Sequence, residues 1–324
     1  MPSRLTRDRA RGSRIVAVDD TLLRDWPLPA PAAGGDKEDR GHVLVVGGSQ
    51  QIPGAVILAA IAALRAGAGK ITIATAARAA PFVAQAVCEA RVVGLEETAS
   101  GSFKRAGARS LPQDCGAVLI GPGMEGDPHN RAFVAAVLER QRDAKVVLDA
   151  GAMDVVRAAP LRAIQSRSSV DRNARAPSSL LLTPHAGELA HLSGSDKSRI
   201  LEDPEAAVAE AARRWNAVIA LKGAATFIGT PDGRLWRHQG GNIGLATSGS
   251  GDVLAGLITG FLARGATIEQ ASAWGIALHA HAGKKLAARV GTLGYLAREI
   301  AAEVPAIMQR LTHRSRRPRP MRKK

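Results

Sequence analysis

The densest concentration of chemistry in the chain is Asn242-Ile-Gly-Leu-Ala-Thr-Ser-Gly-Ser-Gly-Asp252-Val-Leu-Ala-Gly256. Glycines crowd the start of an apolar helical stretch and place a carboxylate in its first turn. Backbone N–H groups freed by such a loop, together with the helix N-terminus, make a site where a developing phosphate charge can be held. Asp252 beside that site is positioned to act as a general base. Its alternative reading is an ordinary carboxylate complementing the helix dipole, but the glycine density on both sides favours catalysis. No Lys follows in the Gly-Lys-Ser/Thr order of a P-loop.

Further candidates close short apolar runs. Thr183-Pro-His185 follows Leu180 to Leu182, with Glu188 three residues on, and Lys222 follows Val218 to Leu221. A strand-end imidazole can hydrogen-bond a ligand in its neutral form, and a strand-end ammonium supplies a point charge for a phosphate. Gly121-Pro-Gly123-Met-Glu-Gly126 formally matches the dinucleotide-binding pattern, with Asp149 ending the next run. We discount that match, because Asp127-Pro128 reads as the cap and first position of the following helix, so the glycines precede the helix instead of opening it. His279 and His281, two apart on a helix, point to different faces.

These residues need a scaffold that brings strand ends together. His42 to Val46, Lys70 to Thr75, Ala117 to Ile120, Val146 to Leu148, Leu180 to Leu182 and Val218 to Leu221 read as short buried strands, most of them followed by helical patterns. Strands alternating with helices predict a mostly parallel sheet, and in such sheets ligands bind at the carboxyl ends of the strands. Ala225 to Gly229 and Leu235 to His238 read as a hairpin turned by Asp232-Gly233. The final third is helical, with Val253 to Leu262 and Ile268 to Leu286 its longest members, and residues 165–178 read as a polar surface loop.

At 324 residues one α/β domain with ragged ends is expected. Hydrophobic residues make up 46% and aromatics only 3%, so small aliphatic side chains must fill the core. The formal charge of +15 sits mostly at the ends: five Arg in residues 1–14, and eight Arg and Lys in residues 309–324. We read residues 1–38 and 309–324 as disordered basic tails flanking a folded domain at 39–308. That placement argues against a specific nucleic-acid partner, since the folded body carries little net charge. Cys88 and Cys115 form no C-x-x-C pair, which suits a reducing cytoplasm. No run approaches a membrane span.

Gly-Ser-Gly-Asp opening a late helix resembles the anion hole and base of the ribokinase-like superfamily. Gly47-Gly48-Ser with Pro53-Gly54-Ala55, Leu119-Ile-Gly-Pro-Gly123-Met, Val147-Leu-Asp149-Ala, Leu182-Thr-Pro-His185-Ala-Gly-Glu188, Leu221-Lys222-Gly-Ala-Ala-Thr226 and Gly291-Thr-Leu-Gly-Tyr295-Leu-Ala narrow the resemblance to the ADP/ATP-dependent NAD(P)H-hydrate dehydratases. These segments run in the family's order across residues 41–308. The resemblance implies a three-layer α/β/α fold with a mostly parallel central sheet. It also implies that Ala55, Gly123, His185 and Asp252 contact the hydrate, with His185 facing a nicotinamide or ribose group. Lys222, Gly223, Ala224, Ala225, Thr226, Gly249, Ser250 and Gly251 would bind the nucleotide, and Glu188 would help organise Mg²⁺ and the phosphates. Three departures stand out: Ser248 where a second glycine is usual, Ala186 in place of a proline, and Asp149-Ala-Gly-Ala-Met-Asp154, in which no role is carried over to Gly151 or Asp154.

The resemblance implies nucleotide-dependent dehydration of the S-form of hydrated NADH or NADPH, a carbon–oxygen lyase reaction of metabolite repair. ADP is favoured over ATP and would yield AMP and phosphate. A homo-oligomer is expected, and forty residues before the first strand leave room for no fused epimerase, which is expected as a separate chain. The rival is a ribokinase-like kinase of a small alcohol or vitamin precursor, sharing Asp252 and its loop but releasing a stable phosphate ester.

Overall fold

The structure, a computed structural model, describes residues 15–30, 34–158 and 179–313. Ten strands form one sheet: β1 (Val16–Ala17), β2 (His42–Val46), β3 (Lys70–Ala76), β4 (Arg91–Leu95), β5 (Ala117–Ile120), β6 (Lys145–Leu148), β7 (Leu180–Leu182), β8 (Val218–Leu221), β9 (Ala225–Gly229) and β10 (Leu235–Gln239). Their spatial order is β1-β10-β9-β8-β7-β6-β5-β2-β3-β4. Only β9 runs against its neighbours, paired antiparallel with β8 and with β10. The expected hairpin is present, with Gly233 at φ 92° in its turn.

The central strands β2, β5, β6, β7 and β8 are almost wholly apolar and buried because both faces of the sheet are covered there. Val43 and Val45 of β2 point into one layer, Leu44 and Val46 into the other. Helices α1 (Asp20–Asp25), α2 (Gly54–Arg65) and α3 (Ala80–Ala86) lie on the first face. Helices α4 (Pro128–Arg140), α5 (Val155–Ala158), α6 (Ala186–Ser193), α7 (Lys197–Glu202) and α8 (Pro204–Trp215) cover the second. The chain then returns to the first face with α9 (Ser250–Ala263), α10 (Ile268–Arg289) and α11 (Ala297–His313). This is the expected three-layer α/β/α arrangement. No helix among the described residues is long and apolar enough to cross a membrane.

The scarcity of aromatics has a structural counterpart where α9 crosses α2. A Cβ on Gly256 would lie 2.2 Å from the Ala59 carbonyl oxygen, and one on Gly260 would lie 2.6 Å from that of Ala63. Small residues therefore let the two backbones touch, which fixes the start of α9 over the start of α2.

Both domain boundaries expected from the sequence require correction. Residues 15–30 belong to the folded body and not to a tail ending at residue 38. β1 pairs with β10, Leu23 is fully buried, and Trp26 stacks on Trp236 at 6.3 Å between ring centroids. Trp274 Nε1 donates to the Trp26 carbonyl at 2.8 Å, and Arg264 donates to that of Pro29 at 2.9 Å. At the other end α11 runs to His313, with Leu311 buried, past the expected limit at 308. Residues 1–14 and 314–324, the remainder of the two basic segments, lie outside the described residues, as does the polar stretch 165–178.

Truncation separates the two assignments. Removing residues 1–38 exposes the core beneath Leu23 and leaves the Trp274 indole without its acceptor, so the melting temperature is expected to fall by on the order of 10 °C. Removing only residues 1–14 is expected to leave it within about 2 °C, because every contact made among the described residues is kept. Thermal melts of the two truncated proteins check both expectations.

Candidate active site

Strand order reverses between β2 and β5: β3 and β4 extend to one side, and β6 to β8 to the other. The loops after β2 and β5 therefore border the crevice in which open α/β sheets bind ligands. They are tied together, since Gly48 N–H donates to the Pro122 carbonyl at 2.6 Å. Gly123 has φ 69°, and a Cβ there would sit 2.7 Å from the Ile52 carbonyl oxygen and 3.0 Å from Ala55 Cβ. Gly123 and Ala55 are thus neighbours, one at the end of β5 and the other in the first turn of α2.

On the same edge of the sheet, Gly249 takes φ 87° as the N-cap of α9, a conformation that favours glycine, and no side chain caps the helix. Ser250 N–H donates to the Thr247 carbonyl at 3.2 Å and Val253 N–H to that of Gly249 at 3.1 Å, which leaves the N–H groups of Gly251 and Asp252 for an anion. A Cβ on Gly249 would lie 2.5 Å from Leu58 Cδ1 of α2, and one on Gly251 would lie 3.5 Å from Lys222 Nζ. The lysine ammonium therefore stands beside the glycine loop.

Lys222 is held from several directions. Its N–H donates to the Pro184 carbonyl at 2.8 Å, joining the ends of β7 and β8. Its Nζ donates to Asp149 Oδ1 at 3.2 Å and lies 3.7 Å from Glu188 Oε2. Burial opposes the charge of this ammonium, but Asp149, Glu188 and Asp252 outweigh it and hold its pKa above the ordinary lysine value. The balance for Asp252 is reversed: burial first, and the Asp149 charge second, push its pKa up to about 7 against the pull of Lys222. A carboxyl with that pKa can take and return a proton near neutral pH.

His185 caps α6. Its Nδ1 accepts from Gly187 N–H at 3.0 Å and Glu188 N–H at 3.1 Å, while Glu188 Oε2 accepts from His185 N–H at 2.7 Å. Because Nδ1 is occupied as an acceptor, the proton of the neutral ring belongs on Nε2, and the imidazole is exposed. Glu188 serves the cap and Lys222 together.

The Ser250 hydroxyl is buried against His279, with Oγ 3.0 Å from Nε2, which leaves its main chain as the part at the loop. Burial lowers the His279 pKa to about 4, which keeps the ring neutral. Gly223 and Ala224 are exposed beyond the end of β8, and Ala225 and Thr226 begin β9. Asp154 is buried between His191 and Arg131, at 2.9 and 3.5 Å, in a structural ion cluster. The discounted glycine pattern at 121–126 does precede its helix, because Asp127 caps α4 by accepting from His129 N–H at 2.8 Å and Asn130 N–H at 3.1 Å.

Two residues at this site carried no assigned role in the sequence. Asp149, almost fully buried, ends β6 and accepts from Thr183 Oγ1 at 2.6 Å as well as from Lys222. The signal that could have found it is the one that selected His185 and Lys222, a polar residue closing a buried strand. His279 offered no such signal, because its partner lies 29 residues earlier in the chain.

The model of the NAD(P)H-hydrate dehydratase family matches residues 43–306. An ADP-dependent (S)-NAD(P)H-hydrate dehydratase from Xanthomonas campestris is 49% identical over 303 residues, which is 93% of this chain and 98% of that protein. The crystal structure of an ADP/ATP-dependent NAD(P)H-hydrate dehydratase from Bacillus subtilis, co-crystallised with ATP and Mg²⁺, superposes with a TM-score of 0.77 at 29% identity, covering 92% of this chain and 99% of that one. A ribokinase-like superfamily protein from Enterococcus faecalis superposes with a TM-score of 0.73 at 27% identity, covering 92% and 96%.

Proposed function

The chain belongs to the NAD(P)H-hydrate dehydratase family, and from that premise we propose that Asp252 is the base of an ADP-dependent dehydration that returns hydrated NADH or NADPH to the intact dinucleotide. The carrying observation is the juxtaposition of an uncapped glycine-rich helix start, the Lys222 ammonium beside Gly251, and a buried carboxyl with a pKa of about 7.

In this reading Asp252 takes the proton from the hydroxyl at C6 of the hydrated nicotinamide ring. The oxygen attacks the terminal phosphorus of ADP, a new P–O bond forms, and AMP leaves. The C6–O bond then breaks with departure of phosphate, assisted by the ring-nitrogen lone pair. Loss of the adjacent ring proton restores the double bond, so hydrate and ADP become NAD(P)H, AMP and phosphate. Gly249 to Gly251 and Lys222 hold the terminal phosphate, Lys222 to Thr226 flank the nucleotide, and Ala55, Gly123 and His185 receive the hydrate. Catalysis of this kind consists mostly of positioning and charge stabilisation.

Asp149 and Glu188 offer the hard oxygen donors that Mg²⁺ takes, beside the lysine that would share the phosphate with it. Bound there, the ion would offset phosphate charge. Because the reaction is specific for one epimer of the hydrate, an epimerase must supply that form from the other.

The test is absorbance at 340 nm with chemically prepared NADPH hydrate or NADH hydrate, Mg²⁺, and either ADP or ATP. A nucleotide-dependent rise with release of AMP supports the reading, whereas a stable phosphate ester without the rise indicates a small-alcohol kinase. The pH profile is a further expectation. Since the base must be ionised, kcat/KM measured below saturation is expected to fall about tenfold per unit below a midpoint near pH 7 and to level off above it. A profile flat from pH 5 to 8 would remove Asp252 from that role.

A further inference from the structure

His42, Asp114 and Cys115 meet at the amino-terminal edge of the sheet, the end opposite the crevice. His42 opens β2, while Cys115 and Asp114 stand two and three residues before β5. Pairing of β2 with β5 fixes the two segments against each other, and Gly116 N–H donates to the His42 carbonyl at 3.0 Å. A ring nitrogen of His42, the Cys115 sulfur and a carboxylate oxygen of Asp114 all lie within 4.8 Å of one another.

The imidazole is already oriented. Its Nε2 lies 2.9 Å from Oγ1 of Thr72, a buried residue of β3, and its Nδ1 lies 3.6 Å from Cys115 Sγ. With Nε2–H donated to the hydroxyl, the Nδ1 lone pair faces the sulfur. An imidazole whose second nitrogen is held by a neighbouring acceptor is the arrangement found around metal-bound histidines. The spacing also fits: Zn–S and Zn–N bonds of ordinary length, set at a tetrahedral angle, put sulfur and nitrogen about 3.6 Å apart. An S–H···N hydrogen bond would account for these two groups by themselves. It leaves out the carboxylate, which lies beside both and, with nearby Lys70 given to Glu38 at 3.0 Å, has no ion-pair partner among the described residues. Asp114 is exposed and His42 half-buried, so an ion reaches the trio from solvent and the carboxylate can turn onto it.

We propose that His42 Nδ1, Cys115 Sγ and Asp114 bind one Zn²⁺ in a four-coordinate site whose fourth position is water, and that the ion clamps the start of β2 to the approach to β5. Thiolate and carboxylate together cancel the charge of the ion, and the sulfur and imidazole select against Mg²⁺. Without an ion, burial first and Asp114 second push the Cys115 thiol up to about 12, so the sulfur carries its proton. Binding displaces that proton to solvent as the Zn–S bond forms. The length of β2 separates this site from the crevice by roughly 15 Å, so the ion is a structural fastener and takes no part in turnover.

The experiment titrates the full-length, untagged chain, freed of metal by a chelator, with Co²⁺ and then Zn²⁺. Co²⁺ is expected to bring up a thiolate-to-cobalt charge-transfer band and the visible absorption of a four-coordinate ion, saturating near one ion per chain, and Zn²⁺ to erase both. The band reads a metal–sulfur bond, so an ion held by Asp149 and Glu188 does not contribute to it. Cys115→Ala is expected to abolish the band and Cys88→Ser to leave it intact. Asp114→Asn, at an exposed position that the fold does not depend on, is expected to weaken Co²⁺ by about tenfold or more, since even the outer partners of metal ligands are worth that much. Zn²⁺ at about a hundred times its Kd is expected to raise the melting temperature of the wild type by about 5 °C. Absence of the band, a band that survives Cys115→Ala or vanishes in Cys88→Ser, an affinity unchanged in Asp114→Asn, or a melting temperature that Zn²⁺ does not raise would each overturn the site. Should Cys115→Ala fail to fold, the wild-type band, the Cys88→Ser control and the Asp114→Asn affinity decide the matter without it.

Discussion

Asp252→Asn is expected to lower turnover of the hydrate by about a thousandfold or more while making the ligand-free protein more stable at pH 8. The first effect follows from removing the carboxyl proposed to take the hydroxyl proton beside the open start of α9. The second follows from the cost of keeping the carboxylate there. Its folded pKa is about 7, raised above the ordinary value of 3.8 by burial and then by Asp149. A raised carboxyl pKa means that the folded state holds its proton more tightly than the unfolded chain does. Stability attached to this group is therefore greatest below pH 4 and is lost as pH rises toward and through 7. At pH 8 the ionised carboxylate destabilises the fold by on the order of 2 kcal/mol, after allowance for its partial access to water. An Asn has nothing to ionise. Melting curves of both proteins at pH 4 and pH 8 should thus coincide at the lower pH and differ by a few degrees, in favour of the variant, at the higher. Equal stability at both values, or a variant that keeps a tenth of wild-type turnover, would contradict the role assigned to the buried charge. The trade is the expected one for a functional group held in an unfavourable state.

The parts of this molecule that were legible in the chain are those in which a local pattern and a tertiary role coincide. Short apolar runs such as Val218 to Leu221 can hardly be anything but strands of a sheet covered on both faces, and the polar residues closing them fall at one edge by topology alone. His185, Glu188 and Lys222 were accessible for that reason, and Asp252 through the glycines that crowd the start of an apolar helix. The N-terminal arm was not, because its order depends on Trp274, Gln270 and Arg264, more than two hundred residues away. Its Leu22, Leu23, Trp26 and Leu28 carried the signal, but they sit next to an Arg-rich segment whose composition dominates any windowed reading. The orientation of the Ser250 side chain was not legible either, because its hydroxyl turns inward to His279, and the packing of α10 against α9 decides that. Asp149 was overlooked because attention to the glycines at 121–126 made it part of a discounted pattern, although a buried acid at a strand end needs a cationic partner wherever it occurs, and Lys222 is that partner.

Lys222→Met is expected to raise the KM for ADP by about a hundredfold and to cost about 3–5 kcal/mol of stability, because the lysine does two separable jobs. Toward the ligand it supplies the positive charge beside Gly251. Toward the protein it neutralises Asp149 at 3.2 Å and Glu188 at 3.7 Å, and a buried carboxylate stripped of its partner is far more costly than the pair was favourable. The two jobs come apart in the double variant Lys222→Met/Asp149→Asn. Removing the stranded acid should recover most of the stability, whereas nucleotide affinity should stay weak, since no ammonium has returned to the phosphate site. The pH profile supplies a third reading of the same charge. Lys222 holds the Asp252 pKa down and Asp149 holds it up, so the residual activity of Lys222→Met should titrate at a more alkaline midpoint than wild type, and the double variant should return toward it. Lys222→Arg keeps the charge and is expected to preserve the midpoint while still weakening ADP, because a planar fork does not put its charge where a compact ammonium does. If all four proteins bound ADP equally well, Lys222 would be only a counter-ion for Asp149, and the phosphate site would rest on the glycine loop alone.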